Sequence, residues 1–343
     1  MGIISKSKVL LRRIRSASLH RMNQNIRAIH SETGKNRLFI FVDMLWCILK
    51  YGVGYLDYHV FGFAVNRGKK RKTFMTMHHN IGLTRLVNDT ALYPIMNDKL
   101  KFLETYGDFI GRQWIDIRLA GPDGLQKLCQ NCGTVFVKPV ENFGGIGIER
   151  IVHTDGTDYQ ALYNRLLENK QYLAEEAVIQ HSKMSELCAE SVNTLRIVTL
   201  IANGAPHFLY ALLRVGSGKN HVDNISSGGM YTFIGEEGKL EFPAFCDKTG
   251  LYYEKHPVTE TAFIGFEIPM FRQAVELCLK ASEVKPGLAY IGWDVAITPN
   301  GPVLIEGNIL PGYDMAQNAK FHPDGIGLLP TVEKILGKPV PKA

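Results

Sequence analysis

The chain has 343 residues, of which 45% are hydrophobic, with every aromatic type present. It can therefore bury a sizeable core, which excludes a disordered or low-complexity protein. Its formal net charge of +6 is uneven: residues 1–72 carry 15 Lys/Arg against three acids, a local +12 that leaves −6 for the remainder. A basic arm on a mildly acidic body suits a membrane surface or an acidic glycan, and equally a solvated helix face. Nucleic acid is not expected, because no stacking aromatics interleave the basic residues of the first 35 positions.

In chain order, residues 3–30 read as a helix, with Leu10, Leu11, Ile14, Leu19 and Ile26 spaced between Arg and Lys. No continuous apolar core of a secretory signal occurs there. The apolar run Leu38–Leu49 contains Asp43 and falls short of the roughly 20 residues a membrane span needs. It is expected to be buried beneath the next domain rather than to lie on a membrane. Residues 67–72 (RGKKRK) form a charged connector. A helix then begins at Asn97 or Asp98 as N-cap and runs through Lys99, Leu100, Phe102 and Leu103. Beyond Gly121 a short helix 122–132 precedes a strand 134–139, a glycine-rich loop, a strand 146–152 and a helix 158–168. Strands at 172–180, 194–201, 208–215 and 230–234 follow, then a helix 269–282, a hairpin 291–305 and a last helix 326–336. Antiparallel hairpins mixed with alternations predict an α+β fold.

Six cysteines are scattered. Cys129 and Cys132 form a lone C-x-x-C with no second pair and no nearby His, which argues against zinc, and a reducing cytoplasm suits the set.

The hairpin GWDVAITPNGPVLIEGN (292–308) carries the strongest chemical signal. A three-residue loop Pro299-Asn300-Gly301 would pair Thr298 with Pro302 and set Asp294 opposite Glu306, with Asn308 two residues further along the same face. Two carboxylates and an amide make an all-oxygen site suited to Mg²⁺, unless they are solvated acids on an open strand face. In the loop 143–147 (FGGIG), Gly144, Gly145 and Gly147 allow backbone N–H groups to approach phosphate closely. A Walker loop would place its Lys after the glycines and open a helix, and a Rossmann loop would also precede a helix; here Lys138 comes first and a strand follows. The segment is either a mobile flap over phosphates or a plain turn. Glu175 and Glu176 stand at the end of an apolar strand, where a linker would meet adenine and ribose or where acids are simply exposed. Arg196 and Arg214 each interrupt an apolar strand, and each needs an anion: a structural carboxylate or a ligand's phosphate or carboxylate.

The order of these signals, together with NDKLKF, VFVKPVENFGGIGI, SVNTLRIVTL, VDNISSGGM and the 292–308 hairpin, resembles the ATP-grasp superfamily and, within it, the sugar-transfer-associated ATP-grasp family. The resemblance covers residues 92–336 and extends more loosely back to 36. It implies an ATP-grasp fold of two α+β subdomains around ATP: a basic helical segment 1–35, a mostly helical domain 36–98, and an ATP-grasp domain 99–336 with a flap subdomain 121–175 and a metal and substrate subdomain 176–336. It further implies that Lys99 and Lys138 bind ATP phosphates beneath the flap glycines Gly144, Gly145 and Gly147. Glu175, Glu176 and Val178 would line the adenine hinge, and Asp294, Glu306 and Asn308 would hold one or two Mg²⁺. Arg196, Arg214 and Lys138 would act on the transferred phosphoryl group or the acceptor carboxylate. The segment 181–187 (HSKMSEL) departs from the family pattern and leaves the ribose contact unplaced. The implied reaction joins a small-molecule carboxylate to an amine, or to a thiol or hydroxyl, through an acylphosphate, with a link to polysaccharide or modified-sugar biosynthesis. A small-molecule kinase is the alternative, and a nucleotide-binding assembly factor at the inner face of the membrane is the non-enzymatic one.

Overall fold

A computed structural model describes residues 19–140, 147–218 and 228–343. Its contacts divide the chain into two units. One holds the described residues up to Leu86, with Thr249–Tyr252 and Gly312–Ala343; the other holds Val87–Lys248 and Tyr253–Pro311. Gly312–Ala343 thus falls in the same unit as the N-terminal helices.

In the first unit the helices Leu19–Thr33, Arg37–Tyr51 and Tyr55–Val60 are joined by short connections. Asn36 starts Arg37–Tyr51 by accepting from the Leu38 and Phe39 amides, and Gly52 ends it in the left-handed conformation at φ 71°. The inner face buries Ile40, Met44 and Cys47, one turn apart. Asp43 also turns inward, accepting hydrogen bonds from Arg71 Nη1 at 2.9 Å and Tyr58 Oη at 2.7 Å. The expectation that the whole run 38–49 is buried needs correction. Leu38, Val42, Trp46 and Leu49 are 70, 57, 51 and 65% exposed. A helix that is apolar all round reads as buried in sequence, but only one of its faces meets the core here.

The second unit contains two antiparallel sheets. Strands β1 (Trp114–Asp116), β2 (Thr134–Lys138), β3 (Glu149–Val152) and β4 (Leu173–Glu176) form the first, in the order β1-β4-β2-β3. Val135 and Val137 of β2 point into a core with Leu125 and Leu128 of helix Ile117–Cys132 and Leu166 of helix Tyr159–Glu168. By the period of two, Thr134, Phe136 and Lys138 take the opposite face. The expected strand 172–180 is only four residues long, and β1 was not anticipated.

The larger sheet joins β5 (Thr194–Ala202), β6 (Ala205–Val215), β7 (Met230–Phe233), β8 (Ala244–Cys246), β9 (Leu251–Tyr253), β10 (Tyr290–Thr298) and β11 (Gly301–Asn308) in the order β11-β10-β5-β6-β7-β8-β9. Helix Phe271–Val284 buries Phe271, Ala274, Cys278 and Ala281, a three-four spacing that keeps one stripe inward. On β10, Ile291, Trp293, Val295 and Ile297 belong to the main core, and the Trp293 indole donates to Thr199 Oγ1 at 2.9 Å. Asp294 therefore points to the other face of the strand.

Candidate functional site

The β10–β11 hairpin sets the geometry. Its turn is one residue tighter than the sequence reading has it: Thr298 pairs with Gly301 and Ile297 with Pro302. A bulge then restores the register. Val295 faces Leu304, Asp294 faces Glu306, and Ile305 is the extra residue between them. Asp294 and Glu306 thus meet as expected, by a different route. The bulge carbonyls are held by one side chain: Arg112 donates through Nη1 to Leu304 O at 2.6 Å and through Nη2 to Ile305 O at 3.4 Å. Gly111, at φ 61°, brings the chain against β11 so closely that a Cβ there would sit 2.6 Å from Val303 Cγ1.

Arg112 also reaches β4. Its Nε and Nη2 donate to Glu175 Oε2 at 3.2 and 3.0 Å, and Lys138 pairs with Glu175 Oε1. Burial alone would push the Glu175 carboxyl up, but the Arg112 and Lys138 charges outweigh it and hold it at about 2. Glu175 is therefore an ionised, 5% exposed anchor rather than an exposed acid. Sequence reasoning missed Arg112, because a single Arg in a polar Gly-rich connector carries no periodic or spacing signal.

Lys99, Lys138, Glu175, Glu306 and Asn308 line one recess, with Ile305 in its wall. Lys99 is placed there by Asp98, which caps helix Lys99–Thr105 by accepting from the Leu100 and Lys101 amides. Burial lowers the Lys99 pKa, against the pull of Glu306, and the Lys138 charge lowers it further. Glu176 and Val178 line a second recess with Phe136, Arg150 and Gln180, on the face of the smaller sheet that also carries Lys138. Glu176 is fixed by the Gln113 amide, which donates to Oε2 at 3.0 Å. Gly147, at φ 78°, accepts from Gln171 Nε2 at 2.9 Å through its carbonyl. Gly144 and Gly145 lie outside the described residues, as does most of the loop 221–229.

Of the two anion partners open to Arg196 and Arg214, the structure has the carboxylate. Arg196 lies directly across from Asp294 in the β5–β10 pairing and grips it through Nε at 2.5 Å and Nη2 at 3.0 Å; Arg214 Nη1 adds a third bond at 3.0 Å. Although burial raises the Asp294 pKa, the Arg196 and Arg214 charges hold it at about 2. The adjacent Glu306 behaves oppositely. It keeps an exposed surface, yet the protein crowded about its carboxyl and the neighbouring Asp294 charge raise its pKa. The closeness of the Asp294 carboxylate adds to that rise.

This donor set fits a hard divalent cation. Glu306 and Asn308 present oxygens at the recess, whereas both Asp294 oxygens already accept guanidinium N–H groups. Among the described residues no group of three or more His, Cys, Asp or Glu is placed to hold a metal ion.

The sugar-transfer associated ATP-grasp family matches residues 78–335. The chain belongs to that family. Its fold is the ATP-grasp fold, with a helical N-terminal region added. No curated protein matches the chain. Among solved structures, it is similar to the ATP-grasp ligase PsnB complexed with minimal precursor at 14% identity and a TM-score of 0.37, covering 66% of this chain and 56% of that one. D-alanine–D-alanine ligase from Bacillus anthracis is 14% identical with a TM-score of 0.43, covering 79% of this chain and 77% of that one. D-alanyl-alanine synthetase A from Vibrio cholerae is 15% identical with a TM-score of 0.39, over 71 and 66%. The chain spans little more than half the length of PsnB. For this ATP-grasp family member, the matched segment contains every residue of both recesses.

Proposed function

We propose that the protein is an ATP-dependent ligase that activates a small-molecule carboxylate as an acylphosphate and joins it to an amine, in the making of a polysaccharide or modified sugar. The observation that carries this reading is the single recess lined by Lys99, Lys138, Glu306 and Asn308 within a chain of the ATP-grasp family. Two ammonium groups and an oxygen donor set in one cleft suit a polyphosphate and its counter-cation.

In this reading the substrate carboxylate attacks the γ-phosphorus of ATP; an oxygen–phosphorus bond forms as the bond to the β-phosphate oxygen breaks, and ADP leaves. The amine then attacks the acyl carbon, inorganic phosphate departs, and the amine loses its proton. Lys99 and Lys138 neutralise phosphate oxygens, and Glu175 fixes the Lys138 ammonium in place. Glu306 and Asn308 would hold Mg²⁺, which when bound supplies positive charge beside the transferring phosphoryl group. Arg196 and Arg214 keep Asp294 ionised next to Glu306 and set a positive field at the acceptor side. Glu176 and Val178 would receive the adenine. No side-chain nucleophile is needed.

The test is a phosphate-release screen of carboxylate and amine pairs with ATP and magnesium, with products read by mass spectrometry. An amide product formed with equimolar ADP and phosphate is expected. A stable phosphorylated product that needs no amine would make the protein a kinase instead. Nucleotide binding without turnover in any pair would favour the assembly-factor reading.

A further inference from the structure

We propose that the outer face of helix Arg37–Tyr51 docks the protein in the plane of an anionic lipid surface. Leu38, Val42, Trp46 and Leu49 recur at the three- and four-residue steps of one helical stripe, opposite Ile40, Met44 and Cys47. All four are at least half exposed, and Phe39 beside them is 39% exposed. Single exposed apolar residues need no explanation, but five on one stripe make an apolar patch of the kind that marks an interaction surface.

The charges around the stripe select the occupant. Lys50 Nζ stands 4.8 Å from the Trp46 ring centroid, Arg67 lies 4.7 Å from that of Phe39, and Lys35 approaches Phe39 from 5.9 Å. Arg37 is exposed at the start of the helix. The three acids between residues 19 and 72 have partners of their own: Asp43 accepts from Arg71 and Tyr58, Asp57 from Tyr313, and Glu32 faces His59. An apolar stripe whose Trp46 and Phe39 edge is lined by cations matches the boundary between acyl chains and anionic headgroups, with the long cationic side chains reaching up to the phosphates. A protein partner would have to be acidic and apolar in the same alternation, whereas a bilayer provides both layers at once. Fifteen residues at 1.5 Å each are too short to cross, and no described helix is long and apolar enough to do so. The helix therefore lies flat.

Sedimentation of the full-length protein with vesicles tests this, using phosphatidylcholine alone and phosphatidylcholine with phosphatidylglycerol. Binding is expected with the anionic vesicles only. The double variant Trp46→Ser/Leu49→Ser should lose at least about tenfold in partitioning, since two large apolar side chains no longer leave water. Lys50→Gln should lose about fivefold. Because these side chains are exposed, far-UV circular dichroism and the thermal midpoint should stay as in the wild type. As a second readout, brominated lipids should quench a component of tryptophan fluorescence that is missing in Trp46→Phe. Wild-type binding by the double variant would overturn the proposal, as would no sedimentation of the wild type with anionic vesicles. So would a wild-type dimer that the double variant breaks without any vesicle binding, which would make the occupant a second copy of the chain.

Discussion

Arg112 and Glu175, 63 residues apart, are joined by two hydrogen bonds, and the same guanidinium holds the two bulge carbonyls of β11. One side chain thus couples the anchor of Lys138 to the strand that presents Glu306. Arg112 and Glu175 have side-chain exposures of 4 and 7%. Removing Arg112 leaves the buried Glu175 carboxylate with Lys138 as its remaining ion-pair partner and without two of its hydrogen bonds, at a cost of up to about 3–5 kcal/mol.

Arg112→Met is accordingly expected to destabilise the second unit by about 3 kcal/mol in urea unfolding. The double variant Arg112→Met/Glu175→Gln should recover part of that loss, because the buried carboxylate left to Lys138 alone is gone. A double variant no more stable than Arg112→Met would mean that Arg112 acts through the β11 carbonyls alone.

Asp294 answers two guanidinium groups. Asp294→Asn should cost about 3–5 kcal/mol, since it removes the buried negative charge that Arg196 and Arg214 both grip. Arg196→Lys keeps the charge but loses the two-pronged grip, so its cost should be smaller yet measurable by the same unfolding assay. Equal stability of Asp294→Asn and wild type would show that the ion pairs contribute nothing net.

Much of this site was legible in the sequence. The pairing of Asp294 with Glu306, the Asp98 cap that places Lys99, and the alternation that turns Lys138 away from Val135 and Val137 follow from strand period and capping chemistry. The tighter turn and the bulge at Ile305 were not legible, because they cancel in the register and Ile305 is an ordinary strand residue. Arg196 and Arg214 announced that an anion was needed but not which one, since Asp294 lies 98 and 80 positions further on. The outer face of Arg37–Tyr51 was misread because apolar residues on every side do not say which of them meet protein. Arg112 left no trace, for its role exists only once β4 and β11 are brought together.

Stability should depend on pH in two windows. Burial, helped by the nearby Lys342 and His78 charges, lowers the pKa of His79 to about 4 from an ordinary 6.5. The unfolded chain therefore binds the proton first. The stability gained from neutral His79 is complete above 6.5 and is lost as pH falls towards 4, by about 3 kcal/mol in total. Glu175 and Asp294, held at about 2, add a second loss as pH falls below the ordinary carboxylate range towards 2. Thermal midpoints followed from pH 7 to 4 should drop less steeply for His79→Gln than for wild type. Parallel curves would remove His79 from the account.

The central claim is that the recess between Lys138 and Glu306 holds ATP for turnover, and its most direct test is steady-state phosphate release by Glu306→Gln with magnesium and a substrate pair that the wild type accepts. Glutamine keeps the shape of Glu306 and removes its charge beside Asp294, so the thermal midpoint should match that of the wild type while phosphate release falls at least about a hundredfold. Wild-type turnover by a folded Glu306→Gln would contradict the account.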